Sequence, residues 1–234
     1  LSYNNFDLIN KLISVFETKI IPHLSMRVII LDNGSQDNTK DCKINSSFIK
    51  IIRLDNNRYF SGGANYLFDQ LETEHCFFMS SDVTPNLKSF KLIINWIKEN
   101  PTIGICGCTS KLRSGEIQQI AKPHLKLSQI HALHGCIQLF PFIKKRVIGS
   151  YLNYKPSNKD TDFVIQDSFI YLRGALIQKG IRYDEKMSLY YTEDDICKQV
   201  IKNCYGISIL ENCFVKHISG ATADQSTKSV SRIY

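Results

Sequence analysis

The chain has 234 residues, of which 43% are hydrophobic and 22% charged, and it carries a net charge of +7 at neutral pH. That length suits one large domain or two small ones, and the composition is that of a soluble globular protein, not of a disordered or fibrous one. No stretch reaches the apolar length of a transmembrane helix, and Asn4, Asn5 and Asp7 stand where a signal peptide needs an apolar run. The first residue is Leu, not Met, so a fragment or a processed product is expected. The basic residues are scattered apart from Lys144-Lys145-Arg146. Such an excess suits an anionic ligand or peripheral association with an anionic membrane face, and it is too dispersed for a dedicated nucleic-acid binder. The eight cysteines include no CxxC pair, and Cys76, Cys106 and Cys213 lie inside apolar runs. Reduced thiols, a cytoplasmic setting and no zinc site are therefore expected.

In chain order, Phe6 to Ile21 shows apolar residues at helical spacing, with Asn4 or Asn5 as a candidate cap. Arg27 to Leu31 reads as a buried strand closed by the turn Asp32-Asn33-Gly34-Ser35. Phe48 to Leu54 is a second strand, Ala64 to Leu71 a helix, and Cys76 to Met79 a strand that ends in Ser80-Ser81-Asp82. Leu87 to Glu99 is a helix stopped by Pro101, and Thr102 to Cys108 a further strand. Ser110 to Asp167 is less regular. Ile165 to Gln178 reads as strand plus helix, Ile196 to Lys202 as a helix, and Ile207 to Leu210 and Cys213 to Val215 as strands. The Ser/Thr/Ala-rich tail after His217 reads as a mobile loop.

Strand and helix alternate, which predicts an α/β fold with a mostly parallel central sheet flanked by helices. Ligands of such sheets bind beyond the carboxyl ends of the strands, and Asp32 and Asp82 both stand at such ends. Asp32 also suits a plain turn, and as a ligand group it would accept a hydrogen bond from a base or ribose. Asn57 to Asn65, with Gly62-Gly63, follows a strand and opens a helix, so its backbone N–H groups could approach phosphate or sugar. It is neither GxGxxG nor a Walker loop. Tyr190-Tyr191-Thr192-Glu193-Asp194-Asp195 places three acids at a helix start, more than capping needs, and one of them could act as a general base. His217 ends an apolar strand; beside Asp82 it would make an Asp/His pair suited to Mn²⁺ or Mg²⁺.

The order of these motifs, from Ser2-Tyr3-Asn4 through Asp32-Asn33-Gly34-Ser35-Gln36-Asp37-Asn38-Thr39, Ser80-Ser81-Asp82, Gly174-Ala175 and Tyr183-Asp184-Glu185 to Glu193-Asp194-Asp195 and His217, resembles the GT-A glycosyltransferases of family 2. The rhamnosyltransferase-like branch looks most similar. The resemblance implies one GT-A domain over residues 1–234, with a nucleotide-sugar-binding half (1–109), an acceptor and catalytic half (110–234) and a truncated first strand. It implies that Ser2, Tyr3, Asn4, Asp32, Asn57, Gly62, Gly63, Asn65, Ser81 and Gly174 border the nucleotide sugar. Asp82, the last position of the DxD motif, would bind metal with His217, and Ser80 stands where that motif has its first Asp. Asp194 is the expected base, with Glu193 and Asp195 beside it.

What this implies is a metal-dependent inverting glycosyltransferase, hexosyl- or rhamnosyltransferase-like, that uses Mn²⁺ or Mg²⁺. Its donor would be a UDP- or dTDP-linked sugar and its acceptor a glycan, lipid-linked or protein-linked hydroxyl. A setting in the cytoplasm, at the cytoplasmic membrane face, follows. The middle segment and the tail would form acceptor-binding elements or lids. Two other readings stand beside it: a catalytically weakened nucleotide-sugar or glycan-binding module on the same fold, and a nucleotidyltransferase, whose Gly-rich N-terminal phosphate loop is not seen here.

Overall fold

The computed structural model describes residues 1–112, 114–118, 120–124, 142, 154–157, 161–187 and 191–218. Its strands are β1 (Val28–Asp32), β2 (Ile49–Arg53), β3 (His75–Met79), β4 (Val83–Thr84), β5 (Ile103–Leu112), β6 (Ile117–Gln118), β7 (Ala121–Lys122), β8 (Val164–Ile165), β9 (Phe169–Arg173) and β10 (Gly206–His217). The helices are α1 (Phe6–Val15), α2 (Tyr59–Asp69), α3 (Leu87–Glu99), α4 (Gly174–Gln178) and α5 (Thr192–Lys202). A π turn, Phe16–Ile20, prolongs α1.

Strand directions bear out a mostly parallel sheet. β1 and β2 pair in parallel, as do β5 and β10. β9 runs antiparallel to both of its neighbours, β3 and β5, so those two point the same way. Leu1 and Ser2 join β1 to β3. Ser2 pairs in parallel with Asp32. Leu1 N donates to Met79 O (3.0 Å) and Leu1 O accepts from Ser81 N (3.1 Å), the slanted pattern of a parallel pair. The five long strands β1, β2, β3, β5 and β10 thus share one direction, and β9 is inverted among them. β9 comes from the second half of the chain and lies between strands of the first, so both halves build one sheet.

Helices cover both faces of that sheet. Successive residues of a strand point to opposite sides, and β9 feeds both cores. Phe169 and Tyr171 pack with α1 and α3, through Ile9, Leu12, Ile13, Phe90, Ile93 and Ile97. Ile170 and Leu172 pack with α2, α4 and α5, through Phe68, Leu176, Ile196 and Val200. Every residue of β9 is buried, which explains why its sequence, Phe-Ile-Tyr-Leu-Arg, does not alternate. α3 has the predicted limits because its signals are local: Asn86 Oδ1 accepts from Ser89 N (3.0 Å) at one end, and Pro101 follows the other. Between β1 and β3 lies an apolar cavity of about 560 Å³, bordered by Leu1, Val28, Ile30, Phe77 and Met79; its lining includes none of Asp32, Asp82, Glu193 and Asp194. Among the described residues no helix is long and apolar enough to cross a membrane.

Two helices begin earlier than their periodicity predicts. α2 starts at Tyr59, not Ala64: Asn57 Oδ1, two residues before, accepts from Tyr59 N (2.7 Å), and the remote Asn33 Oδ1 from Arg58 N (3.0 Å). α5 starts at Thr192, ahead of the Ile196 that opens its apolar spacing, so that Glu193, Asp194 and Asp195 form its first turn, as the acidic run at a helix start implies. The two strands expected at 207–210 and 213–215 are one, β10, interrupted by a bulge between Leu210 and Phe214.

Candidate functional site

The carboxyl end of β1 is built to hold its turn still. Asp32 is fully buried; its Oδ1 accepts from Ser35 N (3.0 Å), and its Oδ2 lies 3.5 Å from Nη1 of Arg53, its register partner on β2. Arg53 Nη2 also donates to Ser35 O (2.7 Å). The Ser2-Tyr3-Asn4 segment packs on this turn. Ser2 N donates to Leu31 O (2.9 Å), Asn4 N to Ser35 Oγ (2.8 Å), and Gln36 N to Asn4 Oδ1 (2.8 Å). Asn4 adopts a left-handed φ of 52°, which Asn tolerates better than most residues. Ser2, Tyr3, Asn4 and Asp32 are therefore together.

Three buried polar atoms along this edge have no hydrogen-bond partner among the described residues: Ser2 Oγ, Asp32 Oδ2 and Asp82 Oδ1. Buried polar atoms are nearly always paired, and each exception calls for an explanation. Two are carboxylate oxygens at neighbouring strand ends: that of Asp32 has the Arg53 guanidinium at 3.5 Å but no hydrogen bond, and that of Asp82 has neither, an arrangement that is costly in a buried position. A ligand presenting an N–H or hydroxyl at one point and a cation at the other would satisfy them.

Asp82 follows β3 and faces His217, the last residue of β10. Both are buried, and His217 Nε2 stands 3.5 Å from Asp82 Oδ2. The backbone fixes the pair: His217 is the register partner of Val83, and Ile218 N donates to Asp82 O (2.9 Å). Ser81 is buried beside them, its Oγ accepting from Asn5 Nδ2 (3.1 Å). On the far side of the ring His217 Nδ1 lies 2.7 Å from Gln118 Oε1. An amide oxygen only accepts, so Nδ1 carries a proton toward Gln118, and the other ring nitrogen, Nε2, faces Asp82. Two ligands of one metal ion, each about 2.1 Å from it, stand about 3 Å apart. The pair therefore fits a divalent cation. It is a pair only: among the described residues no three His, Cys, Asp or Glu side chains converge.

The acids of α5 divide by direction. Glu193 Oε1 and Asp194 Oδ2 both reach Lys122 Nζ, at 2.8 and 2.7 Å. Asp195 turns away, its Oδ2 accepting from Gln199 Nε2 (2.7 Å) one turn along the helix. Burial works against the Lys122 ammonium, but Glu193 and Asp194 outweigh it and hold its pKa above the ordinary lysine range. Asp167 completes the cluster, with Thr192 Oγ1 3.4 Å from both Asp167 Oδ2 and Glu193 Oε2. Gln118 and Lys122 are four residues apart on one segment, which links the two clusters. Ser80 N donates to Ser168 O (2.9 Å), which brings Asp167 to the end of β3.

Burial first, then the Glu193 carboxylate, push the Asp167 pKa up from 3.8 to about 7, against the pull of Tyr183 and Thr192. The folded state thus holds a proton that the unfolded chain releases at lower pH. Its contribution to stability is complete below pH 3.8 and is lost as pH rises toward 7. Asp167→Asn removes this loss. In urea unfolding at pH 5 and at pH 8, the variant is expected to gain on the wild type by about 1–3 kcal/mol as pH rises; a pH-independent difference would show that Asp167 carries no such proton.

Other expected nucleotide-site residues do structural work. Gly62 and Gly63 lie inside α2, not in a loop, so their N–H groups belong to the helix ladder. A Cβ on Gly63 would meet Leu1 Cδ1 at 2.7 Å and Asn33 Nδ2 at 3.1 Å, which accounts for a glycine there. The amide of Asn57 accepts from Asn33 Nδ2 (3.0 Å) and Tyr59 N, and that of Asn65 pins the 183–185 segment through Tyr183 O, Tyr183 N and Glu185 Oε1. Gly174 is separated from the others. It follows the inverted strand β9 and so sits at the amino edge of the parallel strands, where a Cβ would meet Thr73 O at 2.1 Å. Close packing explains it, and it is set apart from the site. Lys122, Gln118 and Asp167 come from the irregular segment and carry no motif that would have singled them out. Most of residues 110–167 and of the tail after His217, expected to form lids or acceptor-binding elements, lies outside the described residues, as does Tyr190.

Three kinds of comparison bear on this geometry. The family profile described as Glycosyl transferase family 2 matches residues 1–178. No curated protein sequence matches. Among solved structures, a crystal structure of S. aureus TarS is 19% identical with a TM-score of 0.62, covering 98% of this chain and 38% of that one. S. aureus TarS 1-349 in complex with UDP-GlcNAc is 20% identical with a TM-score of 0.62, covering 93% of this chain and 56% of the other. The mannosyltransferase PcManGT from Pyrobaculum calidifontis, in complex with GDP-Man and Mn²⁺, is 12% identical with a TM-score of 0.61, covering 97% and 59%. At these identities the likeness shows the fold alone, and the chain spans less than two thirds of each of these structures.

Proposed function

From the premise that this chain belongs to glycosyl transferase family 2, whose profile covers 178 of its 234 residues, we propose that it is a metal-dependent inverting glycosyltransferase. It would move a hexosyl or rhamnosyl group from a nucleoside diphosphate sugar to a hydroxyl acceptor on a glycan or glycolipid. The observation that carries the reading is the pair of buried carboxylates, Asp32 and Asp82, at the carboxyl edge of the sheet: Asp82 Oδ1 has no hydrogen-bond partner among the described residues, and Asp32 Oδ2 has only the Arg53 guanidinium, at 3.5 Å. Asp32 Oδ2 suits an N–H of the base, and Ser2 Oγ and the backbone around Asn4 suit the nucleoside. Asp82 and His217 would hold Mn²⁺ or Mg²⁺. Bound there, such an ion would supply Lewis-acid neutralisation of the charge that grows on the leaving diphosphate. Neighbours that bind UDP-GlcNAc, UDP, and GDP-Man with Mn²⁺ support the same donor class.

Asp194 is the group we assign as general base. It is buried, it begins α5, and its carboxylate faces Lys122 together with Glu193. It would take the acceptor proton as the hydroxyl attacks the anomeric carbon opposite the leaving group, so that the centre inverts. Lys122 keeps both carboxylates aimed, and an incoming hydroxyl would compete with its ammonium for Asp194. Glu193 remains to hold Lys122 when Asp194 turns to the acceptor.

A weakened binding module on the same fold is the second reading, favoured by Ser80 where a carboxylate is usual. The test separates them: UDP-, dTDP- and GDP-sugars are offered one at a time with Mn²⁺, and release of the nucleoside diphosphate is followed. One donor should turn over. Tight donor binding without any turnover would give the second reading precedence.

A further inference from the structure

We propose that Gln118 is the positioning residue of the metal pair: its side-chain oxygen holds the Nδ1 proton of His217, so that Nε2 is presented bare to a cation shared with Asp82. This inference rests on the metal-dependent reading above and adds to it a residue that no motif contains.

Gln118 ends β6, which pairs with β5 where Ser110 stands opposite Gln118. Ser110 also faces Val215 on β10, two residues before His217. β5 cannot pair twice on one edge at the same residue, so β6 and β10 flank it from opposite edges, and Gln118 and His217 meet across it at 2.7 Å. The backbone already fixes where the imidazole and the carboxylate start, through the Val83–His217 register and the bond from Ile218 N to Asp82 O. What the backbone leaves free is the rotation of the ring and the choice of which nitrogen carries the proton. The Gln118 oxygen removes both freedoms, because an amide oxygen has no proton to donate.

The consequence lies on the other side of the ring. Nε2 and Asp82 Oδ2 are 3.5 Å apart, and Asp82 Oδ1 is buried without a partner among the described residues. With Nε2 bare, two acceptor atoms would face each other, and a cation between them would make the contact attractive. A histidine that ligates a metal almost always donates its other ring N–H to such an acceptor, and loss of that partner costs about 10–100-fold in metal affinity.

The experiment combines Mn²⁺ binding in the presence of UDP with ¹⁵N NMR of the histidines. Gln118→Leu should weaken Mn²⁺ binding about 10–100-fold, while Gln118→Glu, which keeps an acceptor oxygen, should bind at least as tightly as wild type. In the metal-free wild type the His217 proton should sit on Nδ1, and Gln118→Leu should lose that preference. A wild-type proton on Nε2 overturns the proposal. So does wild-type affinity in Gln118→Leu when His217→Ala has lost Mn²⁺; in both cases the glycosyltransferase reading stands. A wild type that takes up no Mn²⁺ with UDP fails instead at the metal reading, and the proposal falls with it.

Discussion

Asp194→Asn should lower sugar transfer by about 10²–10⁴-fold, the range a positioned general base contributes, and leave donor affinity nearly unchanged. The amide has the shape of the carboxylate and cannot take a proton from the acceptor. The fold should tolerate it. Lys122 is held by two carboxylates, and Glu193 Oε1, at 2.8 Å, remains as its partner, so no buried charge is left uncompensated. Asp195→Asn is the internal control. Its carboxylate is spent on Gln199 within the helix, and transfer should stay close to wild type. Steady-state kinetics with donor and acceptor varied separately decide between them. A loss that appears in Asp195→Asn and spares Asp194→Asn would mean that the base is misassigned.

Asp82→Ala should lower transfer by a similar 10²–10⁴-fold, since the Lewis-acid contribution of a metal amounts to several kcal/mol and each 1.36 kcal/mol is about tenfold. Unlike Asp194→Asn, it should also shift the Mn²⁺ titration to higher concentration and weaken donor binding, because the ion would hold the diphosphate. Stability should move the other way. Asp82 is buried with one oxygen unpaired, so its removal relieves a desolvated charge, and the thermal midpoint should be unchanged or higher. A residue kept for packing would lower that midpoint when truncated. Differential scanning calorimetry beside the kinetics separates the two, and a large drop in the midpoint with the metal titration unchanged would remove Asp82 from the site.

The parts of the fold that were legible in the sequence are those whose causes are local. The α3 limits follow from Asn86 and Pro101, and strand ends at Asp32 and after Met79 follow from apolar runs that stop at polar turns. The meeting of Asp82 with His217 was legible through the order of motifs and is now a 3.5 Å contact. What was not legible depends on distant groups. α2 begins at Tyr59, where Asn33, 25 residues away in sequence, accepts from Arg58 N. The inversion of β9 could not be read at all: a strand buried on both faces shows no alternation, and its direction is set by its neighbours. That inversion moves Gly174 to the wrong edge for a nucleotide. Lys122 and Gln118 were missed because each sits on a two-residue strand, too short to show a period.

If a divalent cation on Asp82 and His217 holds the diphosphate of the donor sugar, turnover must follow the metal. With the donor found in the screen, chelation of divalent ions should abolish release of the nucleoside diphosphate, and Mn²⁺ should restore it in wild type but not, at the same concentration, in Asp82→Ala or His217→Ala. Turnover that persists undiminished in chelator, with the same rate in all three proteins, would contradict the claim.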